Sequence, residues 1–355
     1  MKKALPFALA AVAFAPFIQA NDNVRISGFG SIIGAQVVEG SGHVADYPNA
    51  GIYDDQFDLS KESRFGLQAV ATINDKTSFT TQAMTRANNN YDPQVEWMFV
   101  NYAFMDDLEL QAGKLRVPVY YFSEYMDVGY AYPWIRVPSD AYSLDLTNFN
   151  GAQLNYRTYM GPLNIGTAFY GGRQTNNSDP LMGYLFDQNI DRDFTGIVGA
   201  TLELSTDSTI VKFSYTEADM HEEGSGYRGI GDYAIQFHDV FIQQSFGDFT
   251  VMAEYNRYKP FYESYFASAT YRMGKSTYYL MYSKFELDAP VFEEHDTQSL
   301  GLRYDLDARM AVKFDVTQMN DDGVNPFTDA PNPVNNDPDG DGDVVIISTG
   351  IDFIF

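Results

Sequence analysis

Apolar and polar side chains alternate with a period of two along most of this chain. At its end Val345, Ile347, Thr349, Ile351, Phe353 and Phe355 fall on one side, with Ser348, Gly350 and Asp352 on the other. Successive side chains of a strand point to opposite faces, so this is a strand with one oily and one wet face. The pattern recurs upstream. Leu300, Leu302 and Tyr304 alternate with Gly301, Arg303 and Asp305, and Met310, Val312, Phe314 and Val316 with Lys313, Asp315 and Thr317. Phe249, Val251, Ala253 and Tyr255 alternate with Thr250, Glu254 and Asn256, and Leu154 and Tyr156 with Gln153, Asn155 and Arg157.

Extended over the chain, the alternation predicts about sixteen strands. They fall near 24–38, 56–73, 77–88, 94–104, 108–117, 147–159, 163–172, 193–205, 209–219, 232–246, 249–258, 263–273, 276–286, 297–305, 309–319 and 343–355. Short connections at Asn74-Asp75-Lys76, Asp106-Asp107, Gly161-Pro162, Thr206-Asp207-Ser208, Gly247-Asp248, Gly274-Lys275 and Asp307-Ala308 carry the residues that tight hairpins need. Longer polar segments alternate with them, near 39–55, 118–146, 173–192, 220–231, 287–296 and 320–342. Tight turns at one end and long loops at the other describe an all-β, antiparallel up-and-down transmembrane barrel. Lys or Arg on the lipid side at mid-membrane costs about 2–4 kcal/mol, so the charged positions must face a wet lumen. A barrel of about sixteen strands is wide enough to leave one.

The first residues set the compartment. Lys2 and Lys3 precede an apolar stretch from Leu5 to Ile18, and Ile18-Gln19-Ala20 supplies a cleavage site. The stretch is too short to span a bilayer as a helix and reads as a removed secretory signal, residues 1–20. Residues 21–355 form a single barrel domain. No cysteine is present, which excludes disulfides and thiolate chemistry. With 26 Tyr and 27 Phe there is ample material for aromatic girdles at two membrane interfaces.

The closing amphipathic strand with its terminal aromatic, the export signal and the loop order resemble Gram-negative outer-membrane porins of the sixteen-stranded, general-diffusion kind. That resemblance implies a homotrimer in the outer membrane, in contact with lipid and lipopolysaccharide, and no nucleic-acid partner. It implies that Phe353 and Phe355 belong to the signal read by the barrel-assembly machinery, and that the third external loop folds inward to narrow the channel. That loop, 118–146, is crowded with Tyr120, Tyr121, Phe122, Tyr125, Tyr130, Tyr132, Trp134 and Tyr142. Glu124 and Asp127 are its best-placed acids, with Asp140 and Asp145 secondary. Arg25, Arg64, Arg86, Lys114, Arg116 and Arg157 are the bases that face them on this reading; the register slips near Gly113, so alternation does not place both Lys114 and Arg116. The aromatics serve either as packing that fixes the loop or, at Tyr121, Tyr125, Tyr130, Tyr132 and Trp134, as a stacking surface for sugar rings. Gly28, Gly30, Gly34 and Ala35 suit a flat subunit-packing wall or a strand that bends sharply.

The chain carries a net charge of −25, or −27 without Lys2 and Lys3. One sign of charge at a mouth concentrates counter-ions, so a water-filled channel for small hydrophilic solutes would favour cations weakly. A substrate-selective channel and a structural or adhesive barrel are the alternatives. In the last external loop Asp337, Asp339, Asp341 and Asp343 alternate with Pro and Gly, a spacing that suits a weak external Ca2+ site; no cofactor is otherwise required. His43, His221, His238 and His295 are scattered and no Gly-x-Ser-x-Gly elbow occurs, so the reading is not that of an enzyme.

Overall fold

The computed structural model describes residues 18–21, 23–40, 42–46, 51–144, 146–176, 190–224, 230–288, 294–321 and 343–355. Sixteen long strands form one closed antiparallel barrel. They are β1 (Val24–Glu39), β2 (Arg64–Asn74), β3 (Thr77–Arg86), β4 (Gln94–Met105), β5 (Leu108–Arg116), β6 (Asn148–Met160), β7 (Leu163–Asn176) and β8 (Ile190–Ser205). The second half comprises β9 (Thr209–Gly224), β10 (Ile230–Phe246), β11 (Phe249–Lys259), β12 (Tyr262–Met273), β13 (Ser276–Leu287), β14 (Glu294–Asp305), β15 (Met310–Asp321) and β16 (Val344–Ile354). Each pairs with its neighbour in sequence, and β16 pairs with β1 through Ile351↔Ile32 and Phe353↔Gly30. Closure leaves no unpaired edge in the ring. Ile18–Asn21 adds a short strand beside Val24–Ile26.

Every predicted strand is present. The main difference is at the second, which starts at Arg64 and not near 56. Gln56, Phe57, Asp58 and Leu59 alternate as a strand would, but Asp54 and Asp58 fold their carboxylates onto the Gln56 and Ser60 amides, 3.0 and 2.6 Å. Those turns send the segment back across β1, where Asp58 pairs with Ala35. At the loop end β8, β9 and β10 run past the predicted limits, because polar residues such as Asp191, Arg192 and Glu222 remain in register there. At the opposite end Gly161, Gly247 and Gly274 hold φ of 63, 65 and 63° in the short turns, a conformation that favours glycine.

The two faces of the wall differ as the alternation requires. Leu300 is 64% exposed, Phe314 51% and Ile347 48%, while Lys313 and Asp352 between them are buried. The glycine positions of β1 are filled from within the chain. A Cβ on Gly28 would meet Phe355, one on Gly30 would meet Phe353, and one on Gly34 would meet Phe57 and Leu59. At these glycines the bare backbone leaves room for rings of the same polypeptide. Ala35 lies on the other face, in a small core with Val37, Tyr53, Val344 and Ile346. The hairpin His43–Asp46/Gly51–Tyr53 supplies Tyr53 to that core.

Candidate functional site

The polar face is covered by the segment between β5 and β6. Its aromatic residues are too apolar to leave in water, and they pack against rings of β10 and β12. Tyr121 stacks on Phe241 at 3.8 Å and 3°. Trp134, 0% exposed, meets Phe266 edge-on at 5.6 Å and donates its indole N–H to Ser268 Oγ, 3.1 Å. Backbone groups of the segment are matched by polar wall residues, as buried amides and carbonyls require. Lys212 Nζ donates to the Tyr120 carbonyl at 2.6 Å, and Asn256 Nδ2 to that of Ala141 at 3.0 Å. Ser214 Oγ donates to the Val119 carbonyl. Glu254 accepts the Tyr121 N–H at 2.6 Å and also the Tyr142 hydroxyl.

Further along, Arg136 forms a two-point pair with Glu62, 2.8 and 2.7 Å, and reaches Ser348 at 3.0 Å. Arg303 donates to the carbonyls of Tyr130 and Tyr132 at 2.6 and 3.0 Å. Lys313 donates to that of Gly129 at 2.7 Å and pairs with Asp352 at 2.8 Å. The segment is thus fastened to β9–β16, on faces whose other side is the exposed apolar one.

Its acidic centre is Asp127. One carboxylate oxygen takes Arg86 at 3.0 Å and Arg116 at 3.1 Å, and Arg64 binds the Asp127 carbonyl at 2.9 Å. Glu96 answers both arginines from β4, 2.5 and 3.3 Å. Burial alone would raise the Asp127 carboxyl, but Arg86, Arg116 and Arg64 outweigh it and hold it well below the usual carboxylate range. The guanidinium fork suits such shared, charge-assisted contacts.

Beside the segment lies a cavity of about 420 Å3, lined from β1 to β9. Arg25, Glu109, Arg157, Glu203 and Lys212 reach it from the wall, with Glu124, Tyr121 and Tyr125 from the segment. Burial raises the Glu124 carboxyl, and the charges of Lys212 and Arg157 oppose that rise.

Asp127, Arg64, Arg86 and Arg116 therefore come together, while Glu124 and Arg157 share the cavity. Lys114 joins neither group. It stands across from exposed Met98 and donates to the Val95 carbonyl at 2.6 Å, because Gly113 at φ 144° breaks the alternation beneath it. Asp140 is also away from the cavity, 0% exposed and held by His295 at 3.1 Å and Ser283 at 2.7 Å. Asp145 lies outside the described residues. The expected stacking surface is mostly taken. Tyr121 faces Phe241, Tyr130 faces Arg303 at 4.4 Å, and Tyr132 and Trp134 are buried in the aromatic core. Asp337, Asp339 and Asp341 of the acidic loop lie outside the described residues, and Asp343 is exposed before β16.

Sequence reasoning missed the partners. Arg136, Glu62 and Glu96 carried no signal, since nothing local marks a residue that pairs with one so distant in sequence. Glu254, Arg303 and Lys313 did fall on predicted wet positions, but what they meet did not show.

A closed ring of sixteen strands, apolar on its exposed face and polar on the other, is a channel-type barrel of the outer-membrane class. The chain belongs to the Gram-negative porin family, whose sequence profile matches residues 8–324. Solved structures agree on the fold. In-vitro folded OmpT, an outer membrane protein of Vibrio cholerae, has a TM-score of 0.59 at 13% identity, over 96% of this chain and 100% of that one. The anion-selective porin from Comamonas acidovorans has 0.61 at 12%, over 94% and 99%. The outer membrane channel DcaP of Acinetobacter baumannii has 0.62 at 9%, over 95% and 99%. No curated protein sequence matches the chain at a significant level.

Proposed function

We propose that residues 118–146 lie within the lumen as a constriction, and that the protein passes small hydrophilic solutes and ions passively across the outer membrane. The observation that carries this is the 420 Å3 cavity beside the segment, with charged side chains of both signs on its walls. A packed plug would leave no such space, and a bare barrel would not cover its polar face on one side only. The aromatic rings are engaged with one another, which favours diffusion over sugar stacking. A structural or adhesive barrel has no use for a charged, open path.

Cation preference rests on the net charge of −27 after loss of residues 1–20, acting at the mouths within about 8 Å at physiological salt. Fold similarity to an anion-selective porin does not set the sign, because selectivity follows the side chains that line the path. A homotrimer fits the reading, and one OmpT neighbour is described as a trimer form. So do assembly through the terminal Phe353 and Phe355, and a weak Ca2+ site at Asp337, Asp339, Asp341 and Asp343. The test is conductance of the refolded barrel in a planar bilayer under a salt gradient. Stepwise openings with a cation-favouring reversal potential are expected; a folded barrel that never opens overturns the channel reading.

A further inference from the structure

Arg86, Arg116, Arg136 and Lys313 are all paired with carboxylates of the protein itself. The cavity beside the aromatic segment is lined differently. Glu124, Arg157 and Glu203 reach it, and among the described residues their side chains make no hydrogen bond and no ion pair. Lys212 beside them is taken by the Tyr120 carbonyl. The charges of Arg157 and Glu203 both act on the Glu124 carboxyl, and that of Arg157 acts on Glu203, so the three share one space. The ladder shows what separates them. Gly166 on β7 pairs with Arg157 on β6 and with Glu203 on β8, and so stands between them on the wet face. Two strand steps place the Arg157 and Glu203 backbones about 9.5 Å apart. Gly166 has no side chain to fill the interval, and a Cβ there would meet nothing nearer than the Glu203 Cβ at 3.9 Å. The wall therefore carries a notch with a guanidinium on one side and a carboxylate on the other.

We infer that this notch takes a zwitterionic solute, an α-amino acid, with its carboxylate on Arg157 and its ammonium on Glu203 and Glu124. Charge-assisted contacts of about 2.7–2.9 Å at each end, with the solute between them, span an opening of that order. The guanidinium fork suits a carboxylate, and two carboxylates suit an ammonium with three donors. Trp97 and Phe99 line the same cavity and offer apolar surface to a side chain. Such a site holds its solute weakly enough to release it, as conduction requires. Its part in permeation rests on the channel reading; its occupancy does not.

The test uses the full refolded barrel in nonionic detergent, titrated by saturation-transfer NMR. The probes are L-leucine, isoamylamine, which lacks the carboxylate, and 4-methylpentanoate, which lacks the ammonium. L-leucine is expected to bind at least fivefold tighter than either analogue. Arg157→Gln should remove its advantage over isoamylamine without weakening isoamylamine, and Glu203→Gln its advantage over 4-methylpentanoate without weakening 4-methylpentanoate. A purely structural role would not produce that crossed pattern. Equal affinity for the three probes, or L-leucine binding indifferent to both substitutions, overturns the proposal. If a charge variant does not fold, Gly166→Val decides, because it fills the notch and keeps every charge: unchanged L-leucine affinity overturns the proposal. Bilayer conductance of the same preparation separates the two readings. A barrel that ranks the probes as expected but never opens keeps the site and loses the channel, and an open channel that does not discriminate among them loses the site alone.

Discussion

Phe355 and Gly28 exchange both backbone hydrogen bonds, at 2.9 Å each, and a Cβ on Gly28 would stand 2.2 Å from the Phe355 ring. The last residue of the chain therefore lies against β1 just where the ring of strands closes. Phe65 on β2 stacks on the same ring at 5.9 Å. Phe355→Ala should lower the yield of closed barrel on refolding into detergent or lipid, read as the fraction migrating as the compact form on unheated gels. Equal yields would show that the ring contributes nothing to closure.

Asp127 holds Arg86 and Arg116 together, so Asp127→Asn leaves two guanidinium groups facing one carboxylate. Removing one partner of a buried ion pair costs about 3–5 kcal/mol; the remaining Glu96 places this case at the lower end. The reversal potential under a salt gradient should move toward anions. An unchanged potential would place Asp127 off the ion path.

Trp134 combines complete burial with an indole hydrogen bond to Ser268. Its replacement by Ala should loosen the segment at a cost of about 3–5 kcal/mol. The barrel itself should persist, because the strand ladder does not involve this residue. Higher single-channel conductance and faster proteolysis within 118–146 are expected; conductance unchanged despite that proteolysis would separate the segment from the constriction.

His43 gives the molecule a pH response on the acid side. It is 1% exposed, and burial, reinforced by the Arg136 charge, lowers its pKa to about 4. The unfolded hairpin would bind a proton near pH 6.5, and the folded one only near 4. The unfolded form thus holds more protons between these values, so stability rises with pH there. The contribution is complete above about 6.5 and is lost as the pH falls toward 4. Hydrogen exchange in His43–Asp46 and Gly51–Tyr53 should accelerate over that window, and His43→Gln should flatten the profile.

The strands were legible because alternation and turn chemistry are local. Lys313 and Asp315 could be assigned to the wet face from their neighbours Val312, Phe314 and Val316 alone. The start of β2 was misread for the same reason, since Phe57 and Leu59 alternate convincingly while two Asx turns redirect the chain. The aromatic segment was legible as something that needs a partner, but the partner was not. Trp134 and Ser268 stand 134 positions apart, and no periodicity links them. The placement of Lys114 failed at one glycine, whose backbone angle inverted the face.

Arg136 binds Glu62, just before β2, and Ser348 on β16, while Lys313 ties Gly129 to Asp352. The seat for residues 129–136 is thus divided between the first strands to be synthesised and the last. It is complete only when the two ends of the sheet meet. A copy that stalls before closure still offers the contacts on β9–β15 but not the pairing of Arg136 with Glu62, and a docked segment in turn holds the two ends together. Completion of the wall and full anchoring of residues 129–136 are then one event.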